Sequence, residues 1–213
     1  MNVEPYGENG IRIIFGNEIN ADVHNEVCTS YTLLKSAAPE GVVEIVPSFA
    51  SCLVIFDPRV TSYEELLPVI GEVHGRGEDI RLPEPAMHEI PVLYGGKYGP
   101  DLEFVSEYCG LTEDQVIGLH TASVYTVYAV GFMPGFPYLG PLDKRLFTPR
   151  LETPRLKVPE GSVGLAQLQT GIYTFESPGG WRIIGKTDRK LFNYESNPYS
   201  VFRLGDRVRF VAE

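Results

Sequence analysis

Between Gly131 and Thr187 the chain concentrates glycine, proline, arginine and aromatic residues in a pattern suited to holding a small anion or a partner segment. Gly131-Phe132-Met133-Pro134-Gly135-Phe136-Pro137-Tyr138 sets aromatic rings among glycines and prolines. A five-residue near-repeat follows, Thr148-Pro149-Arg150-Leu151-Glu152 and Thr153-Pro154-Arg155-Leu156-Lys157. Gln169-Thr170-Gly171-Ile172-Tyr173 and Ser177-Pro178-Gly179-Gly180-Trp181 complete the stretch. Proline lowers the entropy cost of holding a loop in one shape, and glycine admits close backbone approach. Arg150 and Arg155 each offer a planar fork that matches a carboxylate or a phosphate. Gly179-Gly180 could turn consecutive N–H groups inward as an anion nest. Tyr173 and Trp181 supply aromatic walls with polar tips.

Plainer roles stand beside these. Arg150 and Arg155 serve equally well as surface ion-pair partners, Trp181 as core, and Ser177 as a turn residue with no base beside it in sequence. His120, at the end of a predicted helix, either moves a proton or complements the helix dipole.

Other catalytic signatures are missing. The sequence holds no GxGxxG, HExxH or GxSxG. His24, His74, His88 and His120 lack metal-ligand spacing, and Cys28, Cys52 and Cys109 form no CxxC pair. Scattered thiols suit a reducing, cytoplasmic setting. The net charge of −10 argues against nonspecific nucleic-acid binding and against docking to an anionic membrane. No apolar run approaches the ~20 residues of a membrane span, and the first residues do not read as an export signal.

Elements must position these side chains. With 213 residues the chain is long enough for one large domain or two small ones. Ile11–Phe15 reads as a strand. Val23, Val27, Tyr31 and Leu34 make a helix stripe that Asn20 would cap. Val42–Val46 and Cys52–Phe56 read as a hairpin, and Ser62 with Glu65 as a capping box opening a second helix over Leu66, Val69, Ile70 and Val73. Ile80-Arg81-Leu82 would be a closing strand. The order β-α-β-β-α-β predicts a ferredoxin-like α+β domain over residues 1–85. Pro83-Glu84-Pro85 is the linker. Residues 86–213 then read as a β-barrel or sandwich with minor helix. Its elements are a strand at His88–Tyr94, helices at Asp101–Tyr108 and from the Thr112/Gln115 capping box to His120, a strand at Ser123–Val130, and last strands at Ser200–Leu204 and Asp206–Val211.

The motifs quoted above, with Val158-Pro159-x-Gly161-Ser162-Val163 and Ile184-Gly185-x-Thr187, resemble one family in order and spacing. Tyr94-Gly95-Gly96-x-x-Gly99-Pro100-Asp101-Leu102 and Leu119-His120 resemble it too. It is the family of the 5-oxoprolinase B-type subunit, also called the KipI or allophanate hydrolase subunit 1 family. The resemblance implies a cyclophilin-like barrel at the C-terminus and a C-type partner subunit. It implies, with an A-type subunit, an ATP-dependent opening of 5-oxoproline to L-glutamate. ATP would arrive with Mg²⁺ as co-substrate, with no bound prosthetic group. Arg150 or Arg155 would hold a carboxylate or phosphate, the Gly179-Gly180 amides developing charge, and His120 a proton. Phe132, Pro134, Gly135, Phe136, Gln169, Thr170, Tyr173, Ser177 and Trp181 would line the substrate. Some members are described as inhibitors of a sensor histidine kinase, which is the alternative, non-enzymatic role. The sequence departs from the pattern at Ala166-Gln167-Leu168, where small residues are usual, and at Thr174, where proline is usual. Bulk at Gln167-Leu168 is expected to narrow a backbone approach.

Overall fold

A computed structural model describes residues 1–75 and 82–213. The chain divides into two compact units, Met1–Glu84 and Pro85–Glu213.

In the first unit the order is β1 (Asn2–Tyr6), β2 (Gly10–Ile14), α1 (Ala21–Ala37), β3 (Val42–Pro47), β4 (Ser51–Phe56) and α2 (Tyr63–Gly75). The strands form an antiparallel sheet in the order β1-β2-β4-β3. Both capping expectations hold. Asn20 accepts from Val23 N–H at 2.9 Å. Ser62 N–H donates to Glu65 Oε2 at 2.9 Å while Glu65 N–H donates to Ser62 Oγ at 3.3 Å. Ile11, Ile13, Cys52, Val54 and Phe56 from the sheet and Val27, Leu34, Leu66, Ile70 and Val73 from the helices are buried.

The β-α-β-β-α-β order is corrected to β-β-α-β-β-α among the described residues. Strand β1 is not legible in the sequence because it is largely solvent-exposed, carries Pro5, and so shows no apolar alternation. It takes the sheet edge beside β2, where a ferredoxin-like fourth strand would sit. Of that expected strand, Ile80 and Arg81 lie outside the described residues and Leu82 is not in a strand.

The second unit holds β5 (Met87–Tyr94), α3 (Leu102–Cys109), α4 (Glu113–Ala122), β6 (Val124–Val130), β7 (Pro137–Gly140), β8 (Arg155–Val158), β9 (Ser162–Ala166), β10 (Gln169–Ile172), β11 (Ser177–Gly179), β12 (Arg182–Lys186) and β13 (Arg207–Ala212). Seven strands close a barrel in the order β10-β7-β6-β13-β5-β12-β9, and β8 and β11 form a separate pair. The first and last strands, β5 and β13, run parallel side by side. Asp206 fastens them, accepting from Ala86 N–H at 3.0 Å and Arg203 N–H at 2.9 Å and lying 2.9 Å from His88 Nε2. The Thr112/Gln115 box caps α4 as expected. The expected strand Ser200–Leu204 is absent: only Ser200 makes a bridge, to Phe192, and the chain there runs as a loop. Among the described residues no helix is long and apolar enough to cross a membrane.

The buried side chains of the barrel strands and of the residues flanking them fall into two apolar groups. Ile90, Val92, Tyr125, Val127, Leu139, Val163, Leu165, Ile172, Ile184, Val208 and Phe210 build the main core. Phe136, Ala166, Tyr173, Trp181 and Ile183, with Val158 of β8, build a second, smaller cluster. The stretch singled out in the sequence supplies all of that second cluster.

Candidate functional site

The second cluster is a set of edge-to-face aromatic rings. Phe136 lies 4.9 Å from Tyr138, 5.3 Å from Tyr173 and 5.4 Å from Trp181, centroid to centroid. Phe132 meets Phe136 at 5.5 Å and Tyr173 at 6.4 Å. Glycines make room for the rings. A Cβ on Gly171 would fall 2.8 Å from Phe136 Cζ, and one on Gly179 would fall 2.3 Å from Tyr173 Oη. The loop from β6 to β7 closes on itself through Gly131 N–H to Phe136 O at 3.0 Å. Thr174 Oγ1 donates to Pro134 O at 2.7 Å, a tie that proline at that position would lack. Gly135 adopts a left-handed φ of 79° against the Phe192 ring. Phe132 also adopts a left-handed φ, 68°, and is 64 % exposed. Phe132 thus presents a large aromatic to solvent from a left-handed backbone, which makes it a candidate ligand contact.

Charge enters from two sides. Arg155 Nη2 donates to Asp101 Oδ1 at 2.7 Å, and Asp101 Oδ2 accepts from Ile183 N–H at 2.6 Å. Asp101 is buried, so the guanidinium is held from beneath by a fixed carboxylate. Its other nitrogen, Nη1, is buried with no hydrogen-bond partner. Arg150 is exposed, with Cζ 6.0 Å from the Trp181 ring. Tyr173 Oη is buried and makes no hydrogen bond of good geometry, although the Trp181 backbone N–H lies beside it. Burial raises the Tyr173 pKa, so the phenol stays protonated. Arg182 packs its guanidinium 3.6 Å over the Phe104 ring and donates from Nε to Pro149 O.

Other residues singled out in the sequence lie elsewhere or act differently. His120 is fully buried in the main core. Tyr94 Oη lies 2.7 Å from its Nδ1, and its Nε2 lies 2.9 Å from Thr170 Oγ1. Because Thr170 donates its own proton to Gly164 O, it accepts from His120 Nε2–H, and Tyr94 then donates to Nδ1. Burial pushes the imidazole pKa down to about 3. A neutral ring with both nitrogens engaged has no proton to exchange near neutrality, so the structure argues against the proton-moving role. His120 and Thr170 instead bolt α4 to β10. The Gly179-Gly180 nest is likewise corrected. Gly179 lies in β11 under the Tyr173 ring, neither glycine has a left-handed φ, and Gly180 O accepts from Leu151 N–H. Ser177 Oγ donates only to the neighbouring Pro178 O. Gln169 is half-buried on β10, and its Nε2 has no partner.

The geometry can be set against known proteins. A family model described as the carboxyltransferase domain, subdomain C and D, matches residues 1–202. The B-type subunit of 5-oxoprolinase from Bacillus subtilis (strain 168) is 41 % identical over 220 residues, spanning 98 % of this chain and 91 % of that protein. The chain belongs to the family of the 5-oxoprolinase B-type subunit. The B-type subunit of Haemophilus influenzae is 36 % identical over 100 % of this chain and 98 % of its own length. Among solved structures, TTHA0988 superposes with a TM-score of 0.84 at 33 % identity, over 96 % of this chain. This chain spans only 40 % of TTHA0988. The resemblance carried by the motifs is thus borne out. The kinase-inhibitor role gains no support from the names of these relatives.

The departure from the family pattern has a structural cost of a different kind from the one expected. Gln167 and Leu168 form the two-residue turn between β9 and β10, with both side chains exposed, so they do not crowd the aromatic cluster. Gln167 instead takes a φ of 55°, which disfavours any residue with a Cβ. Gln167→Gly should therefore raise stability by about 1 kcal/mol, seen as a higher urea midpoint with an unchanged slope. Asp101 is the site residue that sequence reasoning missed. Its spacing marks it only as a helix start, although it stands within the Tyr94–Leu102 motif at a place where no helix stripe requires an acid.

Proposed function

We propose that this chain is the B-type component of an ATP-dependent 5-oxoprolinase, opening 5-oxoproline to L-glutamate together with C-type and A-type subunits. The observation that carries the reading is the match along nearly the whole chain to proteins that bear that component's name. We take the two compact units as two domains, the second a cyclophilin-like barrel. The substrate sits against the second aromatic cluster, walled by Phe132, Phe136, Tyr173 and Trp181 and held by Arg155 and Arg150.

The chain's own contribution is binding, orientation and exclusion of water. Rings on fixed strands hold a small ring in place at low entropy cost. The guanidinium of Arg155 is already oriented by Asp101 before substrate arrives. ATP, with Mg²⁺, supplies the driving force for opening a stable lactam. The Gly179-Gly180 pair does not form a phosphate cradle, so we assign phosphate binding to the partner subunits. The cysteines are free thiols, and burial pushes Cys28 up to about 11 and Cys52 up to about 12, which leaves them inert. That suits a cytoplasmic subunit.

The test is reconstitution. The chain is combined with its A-type and C-type partners, and 5-oxoproline-dependent phosphate release and glutamate formation are followed. Turnover should need the combined subunits. Absence of glutamate from every combination overturns the reading.

A further inference from the structure

We propose that Arg155 and Tyr173 together form a carboxylate-binding subsite, the element that recognises the acid group of the substrate. The inference rests on the 5-oxoprolinase reading for the ligand's identity, but the subsite itself follows from geometry. Arg155 and Gly179 stand directly opposite each other across the antiparallel β8–β11 pair. Side chains of opposed residues share one face of a ladder. Gly179 has none, and the place a Cβ would occupy lies 2.3 Å from Tyr173 Oη. The tyrosine hydroxyl therefore sits beside Arg155 on the same face.

Both groups present an unused donor. Arg155 Nη1 is buried and unpartnered while Nη2 is engaged by Asp101. Tyr173 is 1 % exposed, and its hydroxyl proton has no acceptor although the Trp181 N–H lies beside the oxygen. Buried donors are nearly always satisfied, and two left open side by side describe the place of an acceptor with two oxygens. Charge sets its class. Asp101 neutralises Arg155, while Arg150 and Arg182 have no ion pair among the described residues, so the cluster is net positive and suits an anion. The two open donors match the two oxygens of a carboxylate, the acid group that 5-oxoproline carries. The aromatic walls around it suit the apolar ring attached to that carboxylate.

The experiment compares 5-oxoproline with its uncharged amide, 5-oxoprolinamide, as ligands. Binding is read by ligand-observed NMR and calorimetry on the full chain, alone and with its partner subunits. Wild type should prefer the acid by about 10- to 100-fold. Tyr173→Phe and Arg155→Lys should each weaken the acid about 5- to 30-fold and leave the amide unchanged. Lysine keeps a charge against Asp101, and near-wild-type Trp181 fluorescence confirms that each variant is folded. In turnover, the variants should raise KM for 5-oxoproline while kcat changes less than about 3-fold. Equal binding of acid and amide, variants that weaken both alike, a fall in kcat with KM unchanged, or no saturable binding would each overturn the subsite. If acid preference is seen and lost in the variants while the reconstituted wild type makes no glutamate, the subsite stands and the enzyme reading falls. If wild type turns over and the variants keep the preference, the subsite falls alone.

Discussion

Replacing Asp101 with alanine should lower the stability of the C-terminal unit by about 2–4 kcal/mol and raise KM for 5-oxoproline in the reconstituted complex at least as far as Arg155→Lys does. The carboxylate has two partners, the Arg155 guanidinium and Ile183 N–H, and is itself buried. Without it a backbone donor in β12 is orphaned and a partly buried cation loses its counter-charge. Breaking a buried pair from one side costs more than the pair contributes, because the remaining charge is left without compensation. The figure is set below that of a fully buried pair because the Arg155 side chain keeps 31 % of its exposure. Asp101→Asn retains an acceptor for Ile183 N–H and should lose about half as much stability. The double variant Asp101→Ala/Arg155→Leu should recover part of the lost stability and none of the affinity for 5-oxoproline. Trp181 is the chain's one tryptophan and belongs to the affected cluster, so its fluorescence reads the unfolding directly. A urea midpoint for Asp101→Ala equal to wild type would sink the prediction.

The second large effect is acid destabilisation through His120. Its folded pKa is pushed down to about 3 by burial, against an unfolded value of about 6.5. Below pH 6.5 the unfolded chain binds a proton that the folded chain refuses. Stability is therefore whole above pH 6.5 and falls by about 1.4 kcal/mol per pH unit as the solution is acidified toward pH 3. The titratable groups facing the ring are Tyr94 and Tyr125, whose pKa values burial drives upward, so they stay neutral throughout and do not mask the slope. His120→Gln keeps an acceptor for Tyr94 and a donor for Thr170. It should cost about 2–4 kcal/mol at pH 7 through lost packing on Phe210, yet flatten the dependence between pH 6.5 and 4.5 relative to wild type. Parallel slopes in the two proteins would show that His120 is charged in the fold.

Much of the local structure is legible because its causes are local. Asn20, Ser62 with Glu65, and Thr112 with Gln115 each cap a helix through contacts within four residues, and spacing alone reveals each of them. Strand β1 escapes because its pairing partner, not its own composition, makes it a strand. The α1 stripe reads on Val23 and Tyr31, whereas the buried face turns slightly to take in His24 and Ser30, a rotation set by how the helix seats on its sheet.

The same division runs through the site. Sequence alone determined which family residues 131–187 mark, because a family motif is an ordered string and needs no coordinates. It also named the aromatic residues and Arg155. Tertiary structure decided what those residues touch. It showed that Gly171 and Gly179 make room for the rings of Phe136 and Tyr173, and that Gly179 is no part of an anion nest. It sent Thr170 to His120 in the core while Tyr173, just past the end of β10, joined the cluster. It brought Asp101 to Arg155 from 54 positions away. Such pairings depend on strand order and register, which no local spacing encodes, and through them an exposed-looking arginine became an oriented, half-buried donor.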